Sequence, residues 1–265
     1  MLVLLPPSEG KTPAPDGTAP VDLAGLSSPG LTAQRERVLD ALVTASARDD
    51  AARVLGVSPG LVAEIRRNVG LRTAPAAPAA RVYSGVLYAA ADLAGSLTIG
   101  GEAAARSRDD VRIVSALWGA VSPADRIPAY RLSMGVDLPG VGRLAASWRA
   151  ELGTALDDRA AGDVVVDCRS ATYAAAWRPR TVGDDAAQWV AVRVLREADG
   201  KRAVVSHNAK HTRGVLTGHL LRRPGAVASV HDLTKAADEL VGTSLLDATT
   251  RDDGTGRFTL ELVVR

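Results

Sequence analysis

Apolar residues in this chain come in short runs that stop abruptly in polar tails. Met1–Leu5 is four apolar side chains after the start, and it runs into "PPSEGKT" (6–12). "VRIVSALWGAV" (111–121), "DVVVDCRS" (163–170), "WVAVRVL" (189–195), "RAVVSHNAK" (202–210) and "GRFTLELVVR" (256–265) carry comparable Val/Ile/Leu or alternating runs, as does "VYSGVLYAA" (82–90). Runs this short and β-branched, bounded by Gly, Pro and Ser, predict strands. Helical spacing marks 32–47, where Val38, Leu39, Leu42 and Val43 form the apolar side and Arg35, Glu36 and Arg37 the wet side. Further helices are predicted at 140–157, 171–177, 208–222 and 231–241. Strands alternating with helices give a mixed α/β fold, a single globular domain over 1–265 with a central mixed sheet flanked by helices.

A small helical block at about 32–71 stands before that alternation. "DDAARVLG", the turn "VSPG" and "LVAEIRRNVGL" read as a tight helix–turn–helix in which Ser58 caps and Pro59 takes the first helical position. "RTAPAAPAA" (72–80) reads as a linker, and residues 12–31, rich in Pro, Gly and Ser, as a loop.

Bulk properties narrow the classes. Hydrophobic residues make up 46% and charged ones 23%, the balance of a folded globule rather than a disordered chain. Aromatics are 3%, which leaves Val, Leu and Ala to fill the core. The formal net charge is only +2, so a site for an anion has to come from clustering rather than excess. A single cysteine, Cys168, excludes an internal disulfide and suits a reducing cytoplasm. The opening apolar run is short and lacks a leading basic region, which predicts neither a signal peptide nor a membrane span.

The polar tails carry the candidate chemistry. Gly10-Lys11-Thr12 ends like a P-loop, but Leu5 stands where that motif needs glycine, and "PAPDGTAP" follows where it needs a helix. Ser8-x-x-Lys11 matches the Ser-x-x-Lys of penicillin-binding enzymes, yet Pro6, Pro7 and Gly10 oppose the helix turn that would bring lysine over serine. What remains is a strand end presenting Ser8, Glu9 and Lys11, the position at which α/β sheets bind ligands. After "VVV" come Asp167, Cys168, Arg169 and Ser170, then Tyr173; after "AVV" come Ser206, His207 and Asn208, then Lys210 and Arg213. Asp125, Tyr130 and Arg131 lie in the proline-punctuated stretch after "LWG". If these ends converge, Lys11, Arg131, Lys210 and Arg213 face Glu9 and Asp167, and the surplus of cations predicts an anionic, phosphate-bearing guest.

Simpler roles stand beside these. Asp167 and Ser170 can cap a helix starting near Ala171, Lys210 and Arg213 can be solvated helix surface, and Cys168 can be a small packing residue. His207 and His211 share a helix spacing suited to a metal but have no third ligand in sequence, so no metal site and no cofactor is assigned.

With these residues in view, the chain resembles the YaaA family of bacterial peroxide-stress proteins. The resemblance rests on "LLPPSEGKT", "YSGVLY" (83–88), "LWGAVSPADRIPAYRLSMG" (117–135), Trp148, "VVVDCRSATY" (164–173) and "VVSHNAKHTRG" (204–214). It implies a single mixed α/β domain with a helix–hairpin–helix appendage, a positively charged cleft that binds DNA, and a role in limiting damage linked to unincorporated iron. Ser8 and Lys11 fall on the family's Ser-x-x-Lys, Tyr83 and Gly85 on its Tyr-x-Gly, Ser170 and Tyr173 on its Ser-x-x-Tyr, and Lys210 and Arg213 on its Lys-x-x-Arg. Thr172 stands where relatives often carry an acid, Cys168 and His207 where relatives carry apolar residues, and Ser-Glu-Gly-Lys where some have Ser-Pro-Ala-Lys.

Two functional expectations follow. In the first, a cytoplasmic protein binds DNA without reading sequence, with Gly56–Gly60 as the hairpin, Arg66 and Arg67 beside it, and Ser8, Lys11, Arg131, Lys210 and Arg213 in the cleft. In the second, an enzyme acts on a nucleotide, nucleobase or other anionic small molecule. There Asp167 or Glu9 is the base, Lys11 and Tyr173 orient or donate protons, Ser170 belongs to the same catalytic set, and Arg131, Lys210 and Arg213 hold the anion.

Overall fold

The structure is a computed structural model that describes residues 1–198, 200–204 and 207–265. From the N-terminus the elements are β1 (Leu2–Leu5), α1 (Thr32–Ser46), α2 (Ala51–Val54), α3 (Val62–Arg67), β2 (Ala77–Pro78), α4 (Ala79–Val82), α5 (Val86–Ala91), α6 (Leu93–Ile99) and α7 (Gly101–Asp109). The middle of the chain gives β3 (Val111–Ser115), β4 (Gly119–Val121), β5 (Arg126–Ile127), β6 (Asp137–Leu138), β7 (Gly142–Arg143), α8 (Leu144–Ser147), α9 (Arg149–Ala160), β8 (Val164–Asp167) and α10 (Ala171–Ala174). Then follow β9 (Gln188–Ala198), β10 (Lys201–Val204), α11 (His207–Arg222), α12 (Val230–Asp238), β11 (Asp247–Gly254) and β12 (Arg257–Val264).

The fold is the expected mixed α/β arrangement. Eight strands form the main sheet in the order β11-β12-β9-β8-β1-β3-β4, with β10 paired to the far end of β9. The inner pairs β12·β9, β9·β8, β8·β1 and β1·β3 are parallel, and β4, β10 and β11 are antiparallel additions. Every residue of β1 and β8 is buried, which is why both read as unbroken apolar runs rather than alternations. β1 sits between β3, which follows it, and β8, which comes later still. The chain therefore leaves β1 on one side and returns on the other, and a crevice opens beyond the strand ends at such a switch point. Among the described residues, no helix is long and apolar enough to cross a membrane.

Several expectations are corrected. "VYSGVLYAA" is not a strand: α4 and α5 occupy it, because Leu87, Tyr88 and Ala91 share one helical face and are buried. The stretch 72–80 is no bare linker, since β2 pairs with β5 and α4 starts at Ala79. Arg35 is not on a wet face but fully buried, donating Nε to the Trp118 carbonyl (2.9 Å) and Nη2 to those of Ala120 (3.0 Å) and Ser27 (2.6 Å). Burial pulls its guanidinium down to about 10. The helical block is thereby nailed to the β3–β4 turn. α6, α7 and β11 carry no signal that the apolar pattern could have revealed: α6 and α7 bury only Leu93, Ser96, Ala104 and Ser107, and β11 is mostly exposed.

Candidate functional site

At the C-terminal end of β1 the backbone turns out of the sheet and is held by the "YSGVLY" segment. Thr12 N–H donates to the Val82 carbonyl (2.8 Å), Lys11 bridges to Tyr83, and the Tyr88 hydroxyl donates to the Pro6 carbonyl (2.7 Å). Gly85 lies so close to this loop that a Cβ there would fall 2.6 Å from the Ser8 Oγ. Two of the sequence blocks thus meet, and a third supports them. Tyr83 and Tyr130 share a hydroxyl contact of 3.0 Å, and Tyr130 meets the Ser115 hydroxyl at 2.7 Å.

The loop it holds, Pro6 to Lys11, lines a cavity of about 350 Å³. Its polar lining includes Ser8, Glu9, Lys11, Arg131, Lys210 and Arg213, together with Ser170 and Tyr173. Eight of the residues singled out from the sequence are therefore brought to one place. Ser170 starts α10 but makes no capping hydrogen bond with its side chain. Tyr173 is half-buried, and burial pushes its phenol above the ordinary range. Lys210 is exposed at the cavity rim, and Arg213 donates Nη2 to the Val192 carbonyl (2.8 Å) while its buried Nε finds no partner in the protein.

Lys11 is the centre of the arrangement. Its Nζ lies 4.4 Å from the Tyr130 ring centroid and 5.7 Å from that of Tyr83. It donates to the carbonyls of Ser8 (2.7 Å) and Glu9 (3.3 Å). Burial, reinforced by the neighbouring Arg131 charge, pulls the Lys11 ammonium down to about 7, with Glu64 and Glu9 working weakly against the shift. Near neutral pH a large share of it is the free amine.

The helical block supplies the remaining wall. Leu55, Gly56 and Val57, in the turn between α2 and α3, line the same cavity as Ser170. Asn68 is fully buried and grips the Arg131 backbone from both sides: its Nδ2 donates to the Arg131 carbonyl (2.9 Å) and its Oδ1 accepts from the Arg131 N–H (2.8 Å). Glu64 accepts from Arg131 Nη1 at 3.3 Å, while the exposed Glu9 carboxylate stands 4.0 Å from Nη2. Sequence reasoning missed Glu64 and Asn68. The signal that could have found them was a carboxylate and an amide flanking Arg66 and Arg67 in an otherwise apolar hairpin.

Asp167 does not join this site. It is buried beneath the strand end, its Oδ2 accepting from Arg169 Nη2 (2.7 Å) and Trp189 Nε1 (3.0 Å) and its Oδ1 from Arg169 Nε (2.8 Å) and N–H (3.0 Å). A carboxylate so occupied is no cavity base and does not cap α10. Arg66 and Arg67 are exposed on the outer side of α3 and do not line the cavity. Cys168 is buried, its thiol pushed up to about 12 by that burial, as befits a packing residue. His211 is exposed; the side chains of His207 and Asn208, and Ser206 altogether, lie outside the described residues. Among the described residues, no group of three His, Cys, Asp or Glu side chains is placed to hold a metal ion.

Known proteins are similar to this chain over most of its length. A family model described as peroxide stress protein YaaA matches residues 1–240. The UPF0246 protein SCO2297 of Streptomyces coelicolor is 48% identical over 242 residues, covering 91% of this chain and 90% of that protein. UPF0246 protein CE1889 of Corynebacterium efficiens is 42% identical over 240 residues (89% and 91%), and UPF0246 protein PHZ_c0561 of Phenylobacterium zucineum is 29% identical over 230 (83% and 82%). A match of that extent, over the very blocks that interlock around Lys11, makes this chain a member of the peroxide stress protein YaaA family.

Proposed function

We propose that the protein serves the peroxide-stress response by binding, and acting on, an anionic small molecule of nucleobase or nucleotide size in the Lys11 cavity. One observation carries this reading. Lys11, Arg131 and the α11 pair Lys210 and Arg213, from three separate stretches of chain, line a cavity of about 350 Å³ to which Leu55–Val57 also contribute. That volume suits a small ligand and is far too small for a duplex. Three guanidinium or ammonium groups beside a partly neutral amine are more than charge neutralisation asks for.

A thermal-shift panel of nucleotides and nucleobases, wild type against Lys11→Ala, tests it. A ligand present at about 100 times its Kd stabilises the folded protein by roughly 2.7 kcal/mol. A hit lost in the variant supports the reading, and a panel without any hit overturns it.

A second reading, sequence-independent DNA binding that limits damage linked to unincorporated iron, is favoured by a different observation. Arg66 and Arg67 are exposed at the end of α3, directly after the hairpin that rims the cavity. Phosphate contacts of this kind weaken steeply with salt. Titrating duplex, forked and single-stranded DNA across salt concentrations tests it; binding indifferent to salt rejects it.

A further inference from the structure

We infer that Lys11 is a covalent nucleophile, and that the molecule it takes is a phosphorylated aldehyde or ketone, bound as an imine to the Lys11 amine. The inference rests on the small-anion reading of the cavity and narrows it to a substrate class.

Geometry carries the argument. A lysine that merely binds phosphate is best left charged and hydrated, as a mobile point charge at a rim. Lys210 is such a lysine; Lys11 is not. Its nitrogen is stationed over the Tyr130 ring, at the foot of the cavity, with the carbonyls of Ser8 and Glu9 as hydrogen-bond acceptors at 2.7 and 3.3 Å. A neutral amine has two hydrogens, and these two carbonyls take both. Its lone pair is then the one feature of the group without a partner. Desolvation beside a second cation is one of the recognised ways to activate a lysine towards carbonyl carbon. Arg131 is that cation, and it is fixed in place by Asn68 and Glu64. The charged groups around the amine are Arg131 from the segment after β5, Glu9 from its own loop, Glu64 from α3, and Lys210 and Arg213 from α11. Burial and Arg131 outweigh the two carboxylates, so the free amine is present near neutral pH.

The remaining parts fit the same chemistry. Arg213, whose buried Nε has no partner among the described residues, and Lys210 line the same cavity as Lys11 and offer a place for phosphate oxygens. The Lys11 lone pair attacks the carbonyl carbon, a C–N bond forms, and the carbonyl oxygen takes up a proton. The nitrogen gives up its two protons in turn, the oxygen gains two in all, the C–O bond breaks and one water leaves, so that amine plus carbonyl gives imine plus water. Tyr173 lines the cavity with a phenol that burial holds in the protonated form; in this step it donates one proton to the departing oxygen and regains one from the nitrogen.

Borohydride trapping tests this on the whole protein. The purified chain is incubated with 2-deoxyribose 5-phosphate, reduced, digested and mapped by mass spectrometry across its four lysines, Lys11, Lys201, Lys210 and Lys235. The expected result is one saturable adduct on Lys11, formed at least roughly tenfold faster than on Lys235 and rising through about pH 7 rather than near the ordinary lysine value of 10.5. Unphosphorylated 2-deoxyribose is expected to label poorly, Lys11→Arg not at that site, and Lys235→Arg as the wild type does. Because mapping locates the adduct in the unmodified protein, the result does not depend on how a variant folds. Adducts spread over all four lysines, or equal labelling with and without the phosphate, overturn the inference. A thermal shift with glycerol 3-phosphate separates the two readings. A shift without any imine removes the nucleophile and leaves the anion site standing; neither shift nor imine removes both.

Discussion

β1 and β8 are neighbouring parallel strands, and the chain treats their ends in opposite ways. Each is a fully buried apolar run that breaks into charge, and Leu4 stands in register with Asp167. At the end of β8 the charges consume one another: Asp167 and Arg169 form a bidentate pair with side chains 3% and 0% exposed, and the Trp189 indole and Trp177 carbonyl take up what is left. At the end of β1 the nearest charged neighbour of Lys11 in effect is another cation, and the acids around it are partly exposed. One end is internally satisfied and inert. The other is left wanting a guest. Burial of a charge is not in itself a sign of function; burial without compensation is the more informative observation.

The sharpest way to break the contrast is to remove one acid. Asp167→Ala strands Arg169 in the interior and is expected to cost about 3–5 kcal/mol, read as a shift in urea midpoint at constant slope. Asp167→Leu combined with Arg169→Met should recover most of that loss. Recovery that fails would mean that the pair also holds the path of the chain after β8.

Lys11 should make stability depend on pH. Its folded value lies near 7 and its ordinary value at 10.5, so between those limits the unfolded chain binds more protons than the folded one. Stability therefore rises with pH through this window, by about 1.4 kcal/mol for each full pH unit in the limit where Lys11 alone titrates. Urea curves for wild type and Lys11→Met, compared from pH 6 to 10, isolate this contribution. The wild type is expected to gain relative to the variant on going up, and a difference that stays flat contradicts the depressed value.

A smaller effect separates the cation-bearing helix from the rest. Gly214 of α11 lies against the Leu87 carbonyl of α5, where a Cβ would collide with backbone. Gly214→Ala is expected to cost about 1–3 kcal/mol, as overpacking does, and to weaken ligand binding by moving Lys210 and Arg213 while the Asp167–Arg169 pair stays intact. The smallest effect belongs to the outer rim. If DNA lies there, Arg66→Ala should lower the salt slope of binding by about one and leave the thermal shift with small ligands unchanged.

Much of the architecture is legible in the sequence. The parallel strands read as apolar runs because both faces of the sheet are covered, and the polar tails read as a shared site because strand ends in such sheets meet on one edge. The errors have equally physical sources. Arg35 looked wet because a helix with Arg, Glu and Arg in succession normally turns them to solvent; carbonyls left free at the β3–β4 turn drew it inward. The "VYSGVLYAA" segment has strand-like composition, and only packing of α5 under α11 selects helix. Asp167 and Lys11 carry the same signal in sequence and opposite roles in space.

The sequence by itself determined the α/β class, the buried strands, and a concentration of cations and hydroxyls at their ends. Those features depend on hydrophobic period and local composition, which neighbours along the chain dictate. Tertiary structure alone decided which charges pair, which face one cavity, and that residues 55–57 line that cavity together with Lys11. Pairing and desolvation depend on distances between residues far apart in the chain. A side chain 2 residues from its partner, as Arg169 is from Asp167, and one 120 residues away, as Arg131 is from Lys11, look alike until the fold brings them together.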